Sequence, residues 1–305
     1  MSYSVIAPLY DRINGDQYAP YAAFLKEVFS RISRIPVKEV LDLGCGTGSI
    51  AALLADDYDM VALDVSPDML SIAMEKNAGK NTLLLCQDMR NFELYGTVQG
   101  VYSSFDCLNY LKPEDLGKVF SLVHNYLEPG GVFVFDVNTR YRLEQVYGEN
   151  AFTYEYEEGL LLWRNEQGKD CCHFILDWFE LQEDGSYERL SETQTEYIHD
   201  GDALIRLADE NGFEVAEVLS SADLHQHGQG VLHGIHLVVG VAEIAGEEQT
   251  LNRLVLFDIG NGFNGNGNFK NLILHFAVFN HLFDIGCNLV LITGVGMNNI
   301  PSCVK

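Results

Sequence analysis

Val40-Leu41-Asp42-Leu43-Gly44-Cys45-Gly46-Thr47-Gly48 is the stretch that decides the fold of this chain: an apolar run, an acid, and three glycines spaced two apart. The apolar run predicts a buried strand, and the glycines predict a tight turn into a helix that lets a ligand approach the main chain. A dinucleotide-binding fingerprint requires G-x-G-x-x-G. Here Ser49 stands where that pattern places its third glycine. The spacing therefore disfavours an NAD-dependent reductase.

Asp42 narrows the choice of ligand further. A carboxylate at the start of the turn would repel a diphosphate, whereas it can accept a hydrogen bond from an ammonium group. We therefore expect a cationic ligand, and S-adenosylmethionine, which carries an ammonium and a sulfonium group, fits this expectation. The alternative role for Asp42 is a capping carboxylate at the start of a helix.

Three further segments agree with this motif in order and spacing. They are Val61-Ala62-Leu63-Asp64, Cys86-Gln87-Asp88-Met89 and Leu127-Glu128-Pro129-Gly130-Gly131-Val132-Phe133. With these segments the chain resembles, over roughly residues 1 to 245, the class I S-adenosylmethionine-dependent methyltransferases. The resemblance identifies the methyl donor far better than the acceptor.

The resemblance implies which residues hold the cofactor. The glycines and Asp42 would hold its methionine end, Asp64 its ribose hydroxyls, and Asp88 with the Met89 main chain its adenine. Tyr10 and Tyr18 would close over the sulfonium, because a tyrosine face attracts a cation. For Met69, ordinary helix packing is an equally good interpretation. The expected cofactor contacts are Tyr10, Tyr18, Asp42, Gly44, Cys45, Gly46, Gly48, Asp64, Val65, Met69, Gln87, Asp88, Met89 and Ser104.

The acceptor side of the site follows the fourth strand. The resemblance implies that Asp106, Asn109 and Tyr110 contact the acceptor. Methyl transfer displaces a good leaving group, so positioning and desolvation supply much of the rate and no obligatory base is expected. Asp106 is nevertheless the best candidate for a catalytic base by its location.

Strands alternate with helices up to about residue 140, which predicts an α/β fold. We expect a Rossmann-like, mostly parallel sheet of seven strands with helices on both faces, formed by residues 1–140 and 200–245. Residues 1–15 are expected to be irregular, and the first helix is expected to begin at Asp16. Four strand-like segments joined by polar turns predict a small antiparallel sheet inserted at 141–199. Inserted at the carboxyl edge of the main sheet, it would roof the ligand crevice.

Composition excludes several classes of function. The net charge is -25, so nucleic-acid binding through a basic face is not expected. The seven cysteines are an odd number without C-x-x-C spacing, which predicts reduced thiols and a cytoplasmic protein. No segment resembles a signal peptide or a membrane span, so no membrane association is expected.

Two segments stay outside the family pattern. Residues 246–305 are apolar and rich in Gly and Asn, and we interpret them as an atypical tail, either an extension without function or a docking segment. His225, His227, His233 and His236 are too incomplete a ligand set to predict a metal site. No metal is therefore expected.

Two functions remain open from the sequence. The first is methyl transfer from S-adenosylmethionine to a small-molecule acceptor. The second is a protein that binds S-adenosylmethionine without turnover and acts as a regulator or partner. A second copy of the chain is kept as a candidate partner, as a homodimer.

Overall fold

The computed structural model describes the backbone of residues 3–220, 235–242 and 290–293, and the side chains of residues 3–218 apart from Asp16. Its five helices are α1 (Ala7–Ile32), α2 (Ser49–Leu54), α3 (Pro67–Lys76), α4 (Pro113–Tyr126) and α5 (Gly201–Glu210). Its strands are β1 (Glu39–Leu43), β2 (Asp59–Asp64), β3 (Thr82–Cys86), β4 (Val98–Ser103), β5 (Leu127–Asn138), β6 (Ala151–Tyr156), β7 (Gly159–Gln167), β8 (Cys171–Leu181), β9 (Tyr187–Tyr197), β10 (Phe213–Ser220), β11 (Ile235–Ala242) and β12 (Val290–Thr293).

The main sheet has the strand order β12-β10-β11-β5-β4-β1-β2-β3. Strands β3, β2, β1, β4 and β5 are parallel, and β11, β10 and β12 continue the sheet antiparallel. The order reverses between β1 and β4, and a ligand crevice of such a sheet lies at that reversal, beyond the carboxyl ends of the strands. Asp42 and Asp64 are therefore brought to one edge.

The two faces of the sheet are covered by different helices. On one face α1 and α2 bury Leu25, Val28 and Ile50 against alternate residues of β1, β2 and β4. On the other, α4 and α5 bury Phe120 and Leu204 against the remaining alternate positions. This alternation is the strand period of two, so the prediction of an α/β sheet with helices on both faces is confirmed.

A second sheet of four antiparallel strands, β6-β7-β8-β9, lies in the sequence between β5 and α5. Its inner face packs on the amino-terminal segment, where Trp178 and Leu161 share a cluster with Ile6, Ala7 and Leu9. The inserted antiparallel sheet predicted from the sequence is confirmed. Its contact with the amino-terminal segment was not predicted.

Two details predicted from the sequence are wrong: where the first helix begins and how many strands the main sheet has. Residues 7–15 are the first turns of α1, because Pro8 stands in the first turn and the apolar residues beside it are buried against the inserted sheet. The main sheet also has eight strands rather than seven among the described residues, because β12 pairs antiparallel with β10. An edge strand offers unpaired main-chain groups that a further segment can take up.

Several predicted features lie outside the described residues. They are the side chains of the four histidines and all of residues 246–305 except β12. Within the described part of the chain, no helix has the length and apolar character needed to cross a membrane. In that same part, His, Cys, Asp and Glu side chains form no group of three that could hold a metal ion.

Candidate active site

The turn after β1 contains three glycines with left-handed backbone, at φ +92° for Gly44, +51° for Gly46 and +68° for Gly48. L-residues with a side chain rarely adopt this conformation. A Cβ at Gly44 would lie 2.8 Å from the Cys107 Sγ, and one at Gly48 would lie 2.7 Å from the Asn77 Nδ2. A side chain at either position would clash with its neighbours, so packing within the protein requires these two glycines.

Gly46 differs from its two neighbours in facing open space. The nearest heavy atom to a Cβ placed there is the Tyr10 Cε1, at 4.0 Å. The protein therefore has room for a methyl group at this point, and the free space forms a cradle above the main chain. A ligand lying against Gly46 would use that space.

Asp42 supplies a buried acceptor beside this cradle. Its side chain is 1% exposed, and one oxygen accepts a hydrogen bond from the Tyr102 hydroxyl at 2.5 Å. The Oδ1 atom is buried without a partner. Burial raises the pKa of Asp42 to about 8, although the Tyr102 hydrogen bond acts in the opposite direction. An ammonium group would satisfy the unpartnered oxygen and favour its ionised form, so the residues present fit the methionine end of S-adenosylmethionine.

Asp64 lies at the end of β2 and is tied to the same turn. Its two oxygens accept hydrogen bonds from the main-chain N–H groups of Gly46 and Ser66, each at 2.8 Å. A carboxylate has about four acceptor positions, so about two remain for ribose hydroxyls. Burial raises the pKa of Asp64. Val65, which follows it, is 46% exposed and available to cover a flat ring.

The glycine turn and Asp42 border an open cleft with about 290 Å³ of free space, part of which is bulk solvent. Its lining includes seven of the predicted cofactor contacts: Tyr10, Tyr18, Asp42, Gly44, Cys45, Gly46 and Ser104. Sequence reasoning missed four further lining residues: Thr47, Ser49, Ile50 and Phe105.

Asp11 on α1 holds the glycine turn in place, and sequence reasoning missed it. Its carboxylate accepts hydrogen bonds from Thr47 at 2.7 Å, Ser49 at 3.1 Å and Tyr18 at 3.0 Å, and it pairs with Lys76. Burial acts to raise the pKa of Asp11, but the hydrogen bonds from Lys76 and Thr47 outweigh it and lower the pKa. The Tyr18 hydroxyl therefore donates its hydrogen bond to Asp11, while Tyr18 also lines the cleft.

The residues predicted to hold the adenine already have partners within the protein. The Gln87 side chain donates to the Glu93 carbonyl and accepts a hydrogen bond from the Glu93 N–H. Asp88 is paired with Arg90, which lowers the pKa of Asp88 and leaves it ionised. Met89 reaches beneath the turn, since its Cε lies 3.2 Å from the position of a Cβ on Gly44.

Met69 does not reach an open ligand surface. It is 1% exposed and packs with Ile6, Leu161 and Trp178 in the cluster that joins α1 to the inserted sheet. The structure therefore favours helix packing, the alternative interpretation of this residue. Its main-chain N–H donates to the Ser66 side chain, which caps α3.

Asp136, at the carboxyl end of β5, shapes the acceptor side. Phe105 and Asp106 both have φ of 55°, a strained value for residues with side chains. Their N–H groups donate to Asp136 at 2.9 and 2.6 Å, and Tyr21 donates to it at 2.6 Å. Sequence reasoning missed Asp136, although an acid at the end of a strand, like Asp42 and Asp64, was an available signal.

Asp106 itself belongs to a carboxyl pair. Asn138 donates one amide hydrogen to Asp106 at 2.5 Å and the other to Glu196, on β9 of the inserted sheet, at 2.7 Å. Burial, followed by the charge of Asp136, raises the pKa of Asp106 to about 7. Burial and the charge of Asp106 raise the pKa of Glu196 well above its usual range. The Asn138 amide therefore bridges the two carboxyl groups, whose burial disfavours two negative charges side by side.

Asn109 is a structural clamp rather than an acceptor contact. It is fully buried, its amide donates to the carbonyls of Asn138 and Tyr197, and its oxygen accepts from the Asn138 N–H. This geometry corrects the expected contact with an acceptor, because the amide is fully used within the protein. Tyr110 remains partly exposed, with its ring centroid 6.1 Å from that of Tyr3.

Comparison with known proteins agrees with this geometry. The family described as "Methyltransferase domain" matches residues 40–131, which contain the glycine turn and the strands around it. A protein of Geobacillus sp. (strain WCH70) that bears the name of a methyltransferase is 30% identical over 231 residues, or 72% of this chain and 91% of the relative. YqeM of Bacillus subtilis (strain 168), which bears the same kind of name, is 32% identical over 199 residues, or 63% of this chain and 78% of the relative.

A solved structure shares the whole arrangement. The S-adenosylmethionine-dependent methyltransferase from Clostridium acetobutylicum ATCC 824 superposes with a TM-score of 0.69 at 26% sequence identity. The match covers 79% of this chain and 99% of that protein. The similarity therefore includes the inserted sheet as well as the parallel core.

Proposed function

This chain belongs to the class I S-adenosylmethionine-dependent methyltransferases, and on that basis we propose that it methylates a small-molecule acceptor in the cytoplasm. S-adenosylmethionine is the cofactor of the family to which the chain belongs. The non-catalytic alternative is not favoured, because the relatives that cover most of this chain bear the names of methyltransferases.

The observation that carries the proposal is the unpartnered Oδ1 of Asp42 beside the cradle at Gly46. A buried polar atom without a hydrogen bond is costly, so its presence at a cleft indicates a ligand that completes it. Asp64 offers its remaining acceptor positions within the same turn. When bound there, S-adenosylmethionine supplies an electrophilic methyl group on a positively charged sulfur.

The acceptor would enter on the side of Asp106 and Tyr110. Asp106 is partly exposed, whereas Glu196 of the inserted sheet, which is 1% exposed, lies behind it. The inserted sheet thus supports Asp106 through Glu196, which shares the Asn138 amide with it. A base is most effective when its pKa lies near the working pH, and the pKa of Asp106, about 7, meets that condition.

The cytoplasmic location and the expected absence of nucleic-acid partners are part of the proposal. They rest on the odd number of cysteines and on the net charge of -25. The homodimer stays a prediction from the sequence.

Calorimetry with S-adenosylmethionine and its demethylated product tests the proposal. We expect micromolar binding of both by the parent protein. Asp64→Asn should weaken both affinities about 10- to 100-fold, because a hydrogen bond to a charged group is worth roughly 1.5–3 kcal/mol. Asp68→Asn, which removes an exposed charge four residues along the chain, is the matched control and should bind like the parent. Absence of micromolar binding in the parent would contradict the proposed function.

A further inference from the structure

The acceptor side of the cleft is acidic. The charged side chains that act most strongly on Asp106 are Asp136 of β5, Glu196 of β9, and Arg142 of the π-helical turn Arg142–Tyr147, and the phenols of Tyr10, Tyr110 and Tyr147 also interact with it. Asp64 and Asp106 also act together on Tyr3 and Cys107. Arg142, the one cation in this set, packs over the ring of Tyr147, with 5.3 Å to its centroid. Carboxyl groups therefore outnumber cations at this side.

Tyrosines form the other wall. Tyr3, Tyr10 and Tyr110 are partly exposed, and burial raises the pKa of each phenol well above its usual range, so the rings are neutral. After burial, the charge of Asp106 is the largest influence on Tyr10. Neutral aromatic faces beside a carboxylate attract cations.

The acidic side adjoins the cofactor cleft. Phe105, which lines that cleft, directly precedes Asp106, and the N–H groups of both residues donate to Asp136. On the other side of Asp106, the Cys107 Sγ donates to the Gly44 carbonyl at 3.3 Å. Asp42, nine-tenths buried or more and with its Oδ1 unpartnered, independently marks the cleft as a ligand site. Asp106 therefore lies between two residues that border this ligand site.

We propose that the methyl acceptor is an amine, held as an ammonium ion by Asp106 and the tyrosine faces, and that Glu196 and Asn138 position the Asp106 carboxylate for it. The inference rests on the proposed methyl transfer and deepens it by naming the class of acceptor. The ammonium first gives one proton to the Asp106 carboxylate. The neutral nitrogen then forms a bond to the methyl carbon with its lone pair, and the electron pair of the breaking carbon–sulfur bond stays on sulfur. The methylated amine leaves as a cation, and Asp106 returns its proton to water.

Other acceptor classes fit less well. A carboxylate acceptor would be repelled by Asp64, Asp106 and Asp136. A neutral hydroxyl would gain nothing from the acidic wall, and a base with a pKa of about 7 is poorly matched to so weak an acid. An alkylammonium ion resembles the lysine side chain, whose usual pKa is about 10.4. That pKa is far closer to the pKa of Asp106 than the pKa of a hydroxyl is, so Asp106 accepts a proton from an ammonium ion more readily.

Glu196 acts as a positioning residue in this scheme. One amide hydrogen of Asn138 is donated to Asp106 and the other to Glu196, and the hydrogen bonds from Asn138 and Glu196 lower the pKa of Asp106 against the effect of burial. A glutamine at position 196 can still donate to Asp106. An alanine cannot, and it should raise the pKa of Asp106.

The first experiment measures binding to the protein saturated with S-adenosylhomocysteine, by NMR titration. The probe is tetramethylammonium, and the neutral probe of the same shape is neopentyl alcohol. We expect saturable binding of the cation, at least tenfold weaker binding of the alcohol, and at least tenfold weaker cation binding in Asp106→Asn. Equal binding of the two probes, or an unchanged Asp106→Asn, would overturn the inference.

Variants of position 196 separate positioning from simple structural support. Glu196→Gln should bind tetramethylammonium within about threefold of the parent. Glu196→Ala should bind it several-fold more weakly at pH 7 and recover at higher pH, with S-adenosylhomocysteine affinity unchanged. Glu188→Gln, an exposed acid on the same strand, is the matched control. A Glu196→Ala variant with a parental pH profile would show that Glu196 does not position Asp106.

A turnover experiment separates this inference from the proposed function. The protein is incubated with methyl-labelled S-adenosylmethionine and a metabolite extract whose amines are either intact or acetylated. Loss of labelling in the acetylated extract supports an amine acceptor. Label that persists after acetylation overturns the amine and leaves methyl transfer standing, whereas failure to bind the cofactor at all removes the proposed function itself. If no label is transferred, the cation-binding result decides.

Discussion

Substitution of Gly46 by alanine should separate cofactor binding from folding. The protein has space for the added methyl group, since the nearest atom, the Tyr10 Cε1, is 4.0 Å away. The cost to folding is therefore only that of a side chain at φ +51°, about 1–2 kcal/mol, which lowers Tm by about 2–8 °C in a domain of this size. The methyl group fills the cradle, however, and crowding of that kind costs about 1–3 kcal/mol. We expect cofactor affinity to fall about 5- to 150-fold.

Two other glycines provide matched controls. Gly79 is exposed, has φ of +77° and has no atom within 4 Å of a Cβ, so Gly79→Ala should lower Tm by a similar amount and leave cofactor affinity unchanged. Gly48→Ala should destabilise the fold more than either, because its methyl group would meet the Asn77 Nδ2 at 2.7 Å. Calorimetry with S-adenosylmethionine and thermal unfolding of all three variants give the comparison. Parental affinity in Gly46→Ala would refute the assignment of the cradle to the cofactor.

Three further predictions follow from buried polar groups. First, with a pKa of about 8, Asp42 is neutral in roughly ten of eleven molecules at pH 7, and an ammonium ligand beside it lowers that pKa. Cofactor binding should therefore release protons and tighten as pH rises from 6 to 7.5, and calorimetry in buffers of different ionisation enthalpy should show this release in the parent but not in Asp42→Asn. Second, Asp11→Asn should weaken cofactor binding several-fold and expose α1 to faster amide hydrogen exchange, because the pairing that ties α1 to the turn depends on its charge; unchanged exchange would contradict this role. Third, Asn109→Ala should lower Tm by about 5–10 °C, since it leaves buried main-chain groups without partners at about 1–3 kcal/mol each; a smaller change than in the exposed Asn91→Ala would contradict the clamp.

Much of the fold could be predicted because its signals are local. The apolar run before the glycines predicted β1, which is observed at Glu39–Leu43, and the glycines predicted the turn into a helix, observed as α2 at Ser49–Leu54. The contacts of the amino-terminal segment were invisible in the sequence. Residues 7–15 are helical where they form a cluster jointly with the inserted sheet, and no local pattern carries that information.

The candidate site divides in the same way. The sequence by itself determined the glycine turn and the acids at the strand ends. Glycine is the residue type that readily adopts left-handed backbone, and parallel strands end at the same edge of their sheet. Only the tertiary structure decided that Asp106 and Glu196 share the Asn138 amide, which atom of Asp42 is left without a partner, and that Glu196 stands behind Asp106. Protonation and pairing depend on burial and on neighbours distant in sequence, and those exist only once the inserted sheet has packed on the core.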